Sequence, residues 1–265
     1  MTATYLVQDI ETIPETEIQG MWEEENALLK EKGKERDFPP IWAHKVICIG
    51  MLAFDEKLMP LKGGCAAGGT QGGKSEKEMI EKWSAAASGK IFESKDALRM
   101  VDWYGRGFDL PVLQTRAFRH GVQLPWYFGL LQDNNGKKSS WSKKYRDRYN
   151  GHHYDLADAW TNRGAFPRPH MANLARLIGL PGKVGIDGGD VHAAHKAGEL
   201  AEIDIYCMQD VFQTAWIFQR YSYMSGKIDL ENYQTVVAAL YDYVKSSPGQ
   251  KEFAEKIDMD ALRLM

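Results

Sequence analysis

Apolar and polar positions alternate near the N-terminus in a way that frames the rest of the chain. Tyr5-Leu6-Val7-Gln8-Asp9-Ile10-Glu11-Thr12 is an apolar run ending on acids, and it reads as a core strand. Strand side chains alternate between faces, so residues two apart project together and Asp9 and Glu11 share one face. Residues 15–37 are charged with sparse apolar positions, which predicts an exposed helix and loop ended by Pro39-Pro40. Residues 43–54 (AHKVICIGMLAF) read as a second strand, with 57–61 as its hairpin partner. The glycine-rich segment 63–73 reads as a loop. Ser75 then opens a helix to about residue 88, and Glu78 three positions on completes a capping-box signature. A strand over 98–103 and an amphipathic helix over 110–120 follow, with Asp109 at the junction. The polar, basic stretch 132–150 reads as a surface excursion. Helical spacing recurs over 170–178, 199–223 and 231–245, and in weaker form over 252–264. No internal repeat is evident. Early strands followed by helices predict an α/β fold with a mixed sheet covered by helices on both faces.

Composition narrows the class. A chain of 265 residues can bury a substantial core as one large domain or two small ones. With 44% hydrophobic and 26% charged residues it has the make-up of a soluble globular protein. Its net charge of −3 gives no overall attraction for nucleic acid, so binding there needs a local basic surface. Cys48, Cys65 and Cys207 lack metal-ligand spacing and do not make an even set, which suits a reducing interior rather than a disulfide framework. No apolar run approaches the roughly 18 residues that span a bilayer, and the N-terminus lacks a signal pattern. The expectation is a soluble, cytoplasmic protein with no membrane partner.

The chemistry lies in an ordered set of acids: Asp9-x-Glu11, then Phe108-Asp109, then Tyr206-x-x-x-Asp210. Residues four apart on a helix stack on one face, so Tyr206 and Asp210 project together. Clustered carboxylates repel one another unless hard cations sit between them, and oxygen-only ligands suit Mg²⁺ or Mn²⁺. Such a site fits two-metal phosphodiester hydrolysis. Three other signals compete. Gly68-Gly69-Thr70-Gln71-Gly72-Gly73-Lys74-Ser75 matches a phosphate loop in form, but Pro60, Lys62 and glycines stand where a buried strand should lead into it. A glycine loop before a capped helix is the better reading. His192 and His195, near Asp187 and Asp190, read as surface residues leading into a helix, since a borderline-soft metal normally recruits more nitrogen or sulfur. Lys137, Lys138, Lys143, Lys144, Arg146 and Arg148 are interleaved with Trp141, Tyr145 and Tyr149, the ingredients of single-strand binding or simply of a solvated face.

The ordered acids resemble the DEDD superfamily of 3′–5′ exonucleases, and the tyrosine points to its DEDDy branch. The stand-alone group described as predicted PolB-like 3′–5′ exonucleases is the closer resemblance. It is carried by Gly105-Arg106-Gly107-Phe108-Asp109-Leu110-Pro111-Val112-Leu113, His153-Tyr154-Asp155-Leu156, Gly185-Ile186-Asp187-Gly188 and Tyr206-Cys207-Met208-Gln209-Asp210-Val211, over roughly residues 4–225. It implies a ribonuclease H-like five-stranded mixed sheet, and one exonuclease domain over 1–265 that includes C-terminal helices in 230–265. It further implies two Mg²⁺ or Mn²⁺ held by Asp9, Glu11, Asp109 and Asp210, with Tyr206 orienting the attacking water. The implied product is a 5′-mononucleotide released from the 3′ end of single-stranded DNA. An exoribonuclease and a non-catalytic nucleic-acid-binding module on the same fold are the alternatives. Phe108, Lys137, Lys138, Lys143, Lys144, Arg146 and Arg148 are the candidate nucleic-acid contacts, and replication or repair proteins acting in trans are candidate partners. Where that group usually carries asparagine this chain has Tyr104, a departure that bears on substrate geometry more than on the chemistry.

Overall fold

The computed structural model describes residues 2–34, 38–94, 97–129, 145–149 and 151–265. Its first half runs β1 (Tyr5–Pro14), α1 (Gln19–Lys30), β2 (His44–Phe54), β3 (Pro60–Cys65), α2 (Glu76–Ala87), β4 (Arg99–Asp102), α3 (Asp109–His120) and α4 (Pro125–Phe128). It continues through β5 (His153–Asp155), α5 (Leu156–Trp160), α6 (Met171–Leu177), α7 (Val191–Ala197), α8 (Leu200–Met224), α9 (Leu230–Ser246), α10 (Lys251–Glu255) and α11 (Met259–Arg263). Among the described residues the strands form one five-stranded sheet in the order β3-β2-β1-β4-β5. β1–β2 and β2–β3 are antiparallel, whereas β1–β4 and β4–β5 are parallel. With helices on both faces, this is a ribonuclease H-like fold.

The alternation along β1 divides the core. Tyr5 and Val7 pack with Leu52, Phe54 and Val101 against α8 and α9. Leu6 and Ile10 pack with Met51 and Ala53 toward α2 and α3 on the other face. Asp9 and Glu11 continue the row of Tyr5 and Val7, so strand parity turns both acids toward α8. α8 is buried along most of its 25 residues, from Ile203 to Ser222, as befits a helix that is apolar on most sides. Its approach to the sheet depends on Gly50 of β2. A Cβ there would lie 2.8 Å from Val211 Cγ2 and 2.9 Å from Cys207 Sγ.

Local chemistry explains where the elements depart from the pattern. The hairpin partner of β2 begins at Pro60, because the turn takes residues 55–59. Asp55 Oδ1 accepts from the N–H groups of Lys57 and Met59, both at 2.9 Å, and Leu58 sits at φ 67°. The C-terminal segment is two short helices, and Asp258 caps the second by accepting from Ala261 N–H at 3.0 Å. β5, α4, α5 and α7 were not anticipated; all are short, and too brief to show a period. The capping box at Ser75 forms as read, with Glu78 N–H donating to Ser75 Oγ and Ser75 N–H to the Glu78 carboxylate. Lys137, Lys138, Trp141, Lys143 and Lys144 lie outside the described residues. Tyr145 is a correction. It is buried against Trp126, with its hydroxyl donating to Leu98 O at 2.5 Å, and so offers no face to a base. No helix among the described residues is long and apolar enough to cross a membrane.

The glycine-rich segment 63–73 is not all loop: Gly63, Gly64 and Cys65 pair with β2 as the end of the edge strand β3, and the amides beyond that strand serve an internal acid. Thr70 N–H donates to Asp204 Oδ1 at 2.8 Å and Gln71 N–H to Oδ2 at 3.4 Å. A Cβ on Gly69 would come within 2.4 Å of the same carboxylate. Lys74 pairs with Glu78 at 3.5 Å on the exposed side of α2.

The contact at Gly50 gives a direct test. Gly50→Ala should destabilise the protein by about 1–3 kcal/mol, the usual range for overpacking, in urea unfolding monitored by circular dichroism. Wild-type stability in that variant would mean that α8 does not rest on Gly50.

Candidate active site

Three segments bring their acids to one end of the sheet. On β1, Asp9 stands opposite Gly50 and Glu11 opposite Cys48 of β2. Across the missing side chain of Gly50 lies α8, which supplies Tyr206 and, one turn later, Asp210. Asp109 arrives from the other side as the first residue of α3. β4 pairs with β1 only over Tyr5–Val7, which leaves the edge of β1 open beyond that point. There the N–H of Ile10, between Asp9 and Glu11, lowers the pKa of the Asp109 carboxyl against its burial. One carboxylate oxygen each of Asp9 and Glu11 and the sulfur of Cys207 form a group, all within 4.8 Å of one another. Asp109 and Asp210 stand outside that group and within electrostatic reach of it.

Burial and mutual repulsion dominate the electrostatics. Asp9 is pushed well above the carboxylate range by burial first, then by the fields of Asp109, Glu11 and Asp210. Glu11 is raised by burial, Asp210 and Asp109, with Lys183 partly offsetting them. Asp109 is raised by burial and by Asp102. Asp210 is pushed up to about 6 by burial, against a lowering hydrogen bond from Tyr206 and the charge of Lys183. Tyr206 is driven far upward by burial and then by Asp210, Glu11 and Asp9, so its phenol stays protonated and remains a donor. Cys207 is likewise held as a neutral thiol, donating to Asp9 O at 3.7 Å. Hard divalent cations are the species that such an array of oxygen donors can hold.

Other residues of the site escape a reading of spacing alone. The turn that delivers Asp109 is held by two further acids. Asp155 accepts from Tyr104 N–H at 3.1 Å and from Arg106 N–H at 3.0 Å, and Asp102 accepts from Gly105 N–H at 3.1 Å. His153 Nε2 holds Asp102 in turn at 2.7 Å. A Cβ on Gly105 would fall 2.1 Å from the Asp102 carboxylate, so glycine is required there. Asp155 belongs to a string already singled out, whereas nothing in the sequence marks Asp102. Lys183, whose charge reaches Glu11 and Asp210, carries no spacing signal either.

A cavity of about 690 Å³ opens beside this turn, lined by Tyr104, Arg106, Arg146, Arg148, Phe166 and Arg168 among others. Tyr104 is 40% exposed, with the Arg168 guanidinium carbon 3.4 Å from its ring centre. Arg146 lies over Phe128 at 5.2 Å. Arg148 is engaged by Asp158 through two of its nitrogens, so it reaches the cavity as half of an ion pair. Phe108 packs edge-on against His44 at 5.1 Å and near Phe38 at 5.9 Å, apart from the lining of the cavity. His192 and His195 lie on α7, and among the described residues no histidine joins a group of three potential metal ligands.

Carboxylates raised in the folded state destabilise it at neutral pH. For Asp210 that cost is full above pH about 6 and relieved as pH falls toward the ordinary value of 3.8. Metal-free Asp210→Asn should therefore melt above metal-free wild type at pH 7.5, and the gap should close as pH is lowered to about 4. Differential scanning calorimetry in chelator tests this, and a lower melting temperature in the variant at pH 7.5 would contradict it.

The protein-family comparison matches residues 36–258 to a family described as predicted 3′–5′ exonuclease related to the exonuclease domain of PolB. No curated protein matches the chain. The matched span contains Asp109, Tyr206 and Asp210, and it begins after Asp9 and Glu11, which join the same site through the pairing of β1 with β2. With most of its length matched, the chain belongs to the family of predicted 3′–5′ exonucleases related to the exonuclease domain of PolB.

Proposed function

We propose that this protein is a two-metal-ion exonuclease that hydrolyses single-stranded DNA from its 3′ end and releases 5′-mononucleotides. The observation that carries this reading is the convergence of Asp9, Glu11, Asp109 and Asp210 from three separate segments, each acid raised first by burial. The donor set fits Mg²⁺ or Mn²⁺, since it is all carboxylate beside one neutral thiol. Two such ions, held by these four acids, would lower the pKa of the attacking water and neutralise charge on the departing 3′ oxygen. Tyr206, protonated and hydrogen-bonded to Asp210, orients that water. Lys183, whose charge reaches Glu11 and Asp210, is the cation this mechanism would set against the scissile phosphate.

The cavity beside Asp109 supplies the substrate cleft in this reading. Arg146 and Arg168 at the cavity wall would answer backbone phosphates, Arg168 from its place over the ring of Tyr104, which stands where the family usually has asparagine. RNA is the competing substrate, decided by parallel assays on oligonucleotides of both kinds. The whole chain acts as one domain in this account, because Tyr233 of α9, Phe253 of α10 and Leu262 of α11 share the core of α8. Free thiols at all three cysteines suit a cytoplasmic setting.

A 5′-labelled oligonucleotide with Mg²⁺ or Mn²⁺ should give a descending ladder that EDTA abolishes. Activity unaffected by chelation would overturn the metal mechanism. Asp9→Ala should remove nearly all turnover, whereas Lys74→Ala should retain it, since Lys74 is exposed just ahead of α2 and pairs there with Glu78. Loss of turnover in Lys74→Ala would return the phosphate loop to consideration.

Tyr206→Phe keeps the packed ring and removes only the hydroxyl. Orienting and acid–base groups contribute roughly 10²–10⁴-fold, and a positioner beside metal ions should fall at or below the bottom of that range. A clear fall in kcat with metal affinity unchanged is expected from single-turnover kinetics and metal titration. Wild-type turnover would mean that the hydroxyl does not handle the water.

A further inference from the structure

The three cysteines, remote in sequence, meet on the α8 side of the sheet. Cys48 lies on β2 opposite Glu11, Cys65 ends β3 opposite Gly50, and Cys207 packs onto that same glycine from α8. The neighbouring thiols of Cys207 and Cys65, together with burial, push the Cys48 thiol up. Asp204, one turn before Cys207, completes the group, and Cys65 Sγ lies 3.7 Å from its carbonyl oxygen. The sulfurs of Cys48 and Cys65 and a carboxylate oxygen of Asp204 all lie within 4.8 Å of one another. That carboxylate is already oriented by the amides of Thr70 and Gln71. Cys65 and Asp204 also line a cavity of about 390 Å³. The same wall carries Gln250, which is 1% exposed and whose Oε1 has no hydrogen-bond partner.

We propose that Cys48, Cys65 and Asp204 form a second cation site, for Zn²⁺ or a similarly thiophilic divalent ion, chemically distinct from the carboxylate cluster. Two sulfurs and one oxygen select soft and borderline cations, as the all-oxygen cluster selects hard ones. Zn–S bonds near 2.3 Å and Zn–O bonds near 2.0–2.2 Å place tetrahedral ligands roughly 3.5 Å apart, so atoms already within 4.8 Å of one another need close by little more than an ångström at most. Cys65 and Asp204 line the cavity, so a water from it would complete the coordination. Binding forms two metal–sulfur bonds and releases the protons of Cys48 and Cys65 to solvent. A cation there fastens β2 and β3 to α8, the helix that carries Tyr206 and Asp210. The inference is independent of the nuclease reading.

The test is a titration of the metal-free full-length chain with Cd²⁺ in excess Mg²⁺, followed by the ultraviolet thiolate-to-metal charge-transfer band. Saturation at one equivalent is expected, with no displacement by Mg²⁺. Cys65→Ala should lose the band, with affinity falling by more than the roughly 10–100-fold that losing an outer partner costs. No band, or a band unchanged in Cys65→Ala because the ion binds Cys207 with Asp9 and Glu11, would overturn the site. In wild type, saturating Zn²⁺ should also protect Cys65 from alkylation, read by peptide mass spectrometry. Alkylation at an unchanged rate would overturn the proposal whether or not the variant folds.

Discussion

A helix can lie against a sheet at backbone distance only where a side chain is missing, and here that place is Gly50. The contact of Cys207 and Val211 with this glycine fixes how deep α8 sits over β1 and β2. Depth decides chemistry, because Asp9 is the residue opposite Gly50, and Tyr206 and Asp210 each come one residue before a contact residue on the helix. Strand parity turns Asp9 and Glu11 to the same side. The open edge of β1 past Val7 then lets Asp109 close the cluster next to the Ile10 N–H. A helix seat, a strand period and an unpaired edge suffice to gather four acids from three segments.

The arrangement runs against stability. Burial raises all four carboxylates, the fields of the neighbouring acids raise Asp9 and Glu11 further, and the charge of Lys183 offsets part of the shift at Glu11 and Asp210. Buried like charges without compensation cost free energy, and such costs persist where function requires them. The surrounding fold opposes that cost with apolar packing on both faces of the sheet, from Tyr5 and Val7 to Trp216 on one side and from Leu6 to Trp83 on the other. A buried polar line crosses the second layer as well. Trp83 Nε1 donates to Gln8 Oε1 at 2.6 Å, and Gln8 reaches Asp102, which in turn holds the Gly105 turn. The geometry of Asp109 is thus set partly from the face of the sheet opposite α8.

Much of this was legible in the sequence, and the reasons are local. Alternation places Asp9 with Glu11, the four-residue helical spacing places Tyr206 with Asp210, and a strand-to-helix junction marks Asp109. What escaped depends on contacts distant along the chain. Asp102 looks like any acid ending a strand until its partners His153 and Gly105 are seen. Tyr145 sits among lysines and arginines, yet a hydrogen bond to Leu98 and the face of Trp126 draw it into the core. Cys48, Cys65 and Cys207 have no telling spacing because β2, β3 and α8 alone bring them together. The glycine-rich match misleads for a related reason: its amides are aimed at a side chain, Asp204, more than a hundred residues away.

The central claim is that the four carboxylates exist to hold divalent cations. Anomalous diffraction from crystals soaked in Mn²⁺ tests it most directly. The account predicts two manganese peaks bounded by Asp9, Glu11, Asp109 and Asp210, with the Tyr206 hydroxyl facing the space beside them. Manganese absent from that cluster at saturating concentration, or found only against Cys48 and Cys65, would contradict it.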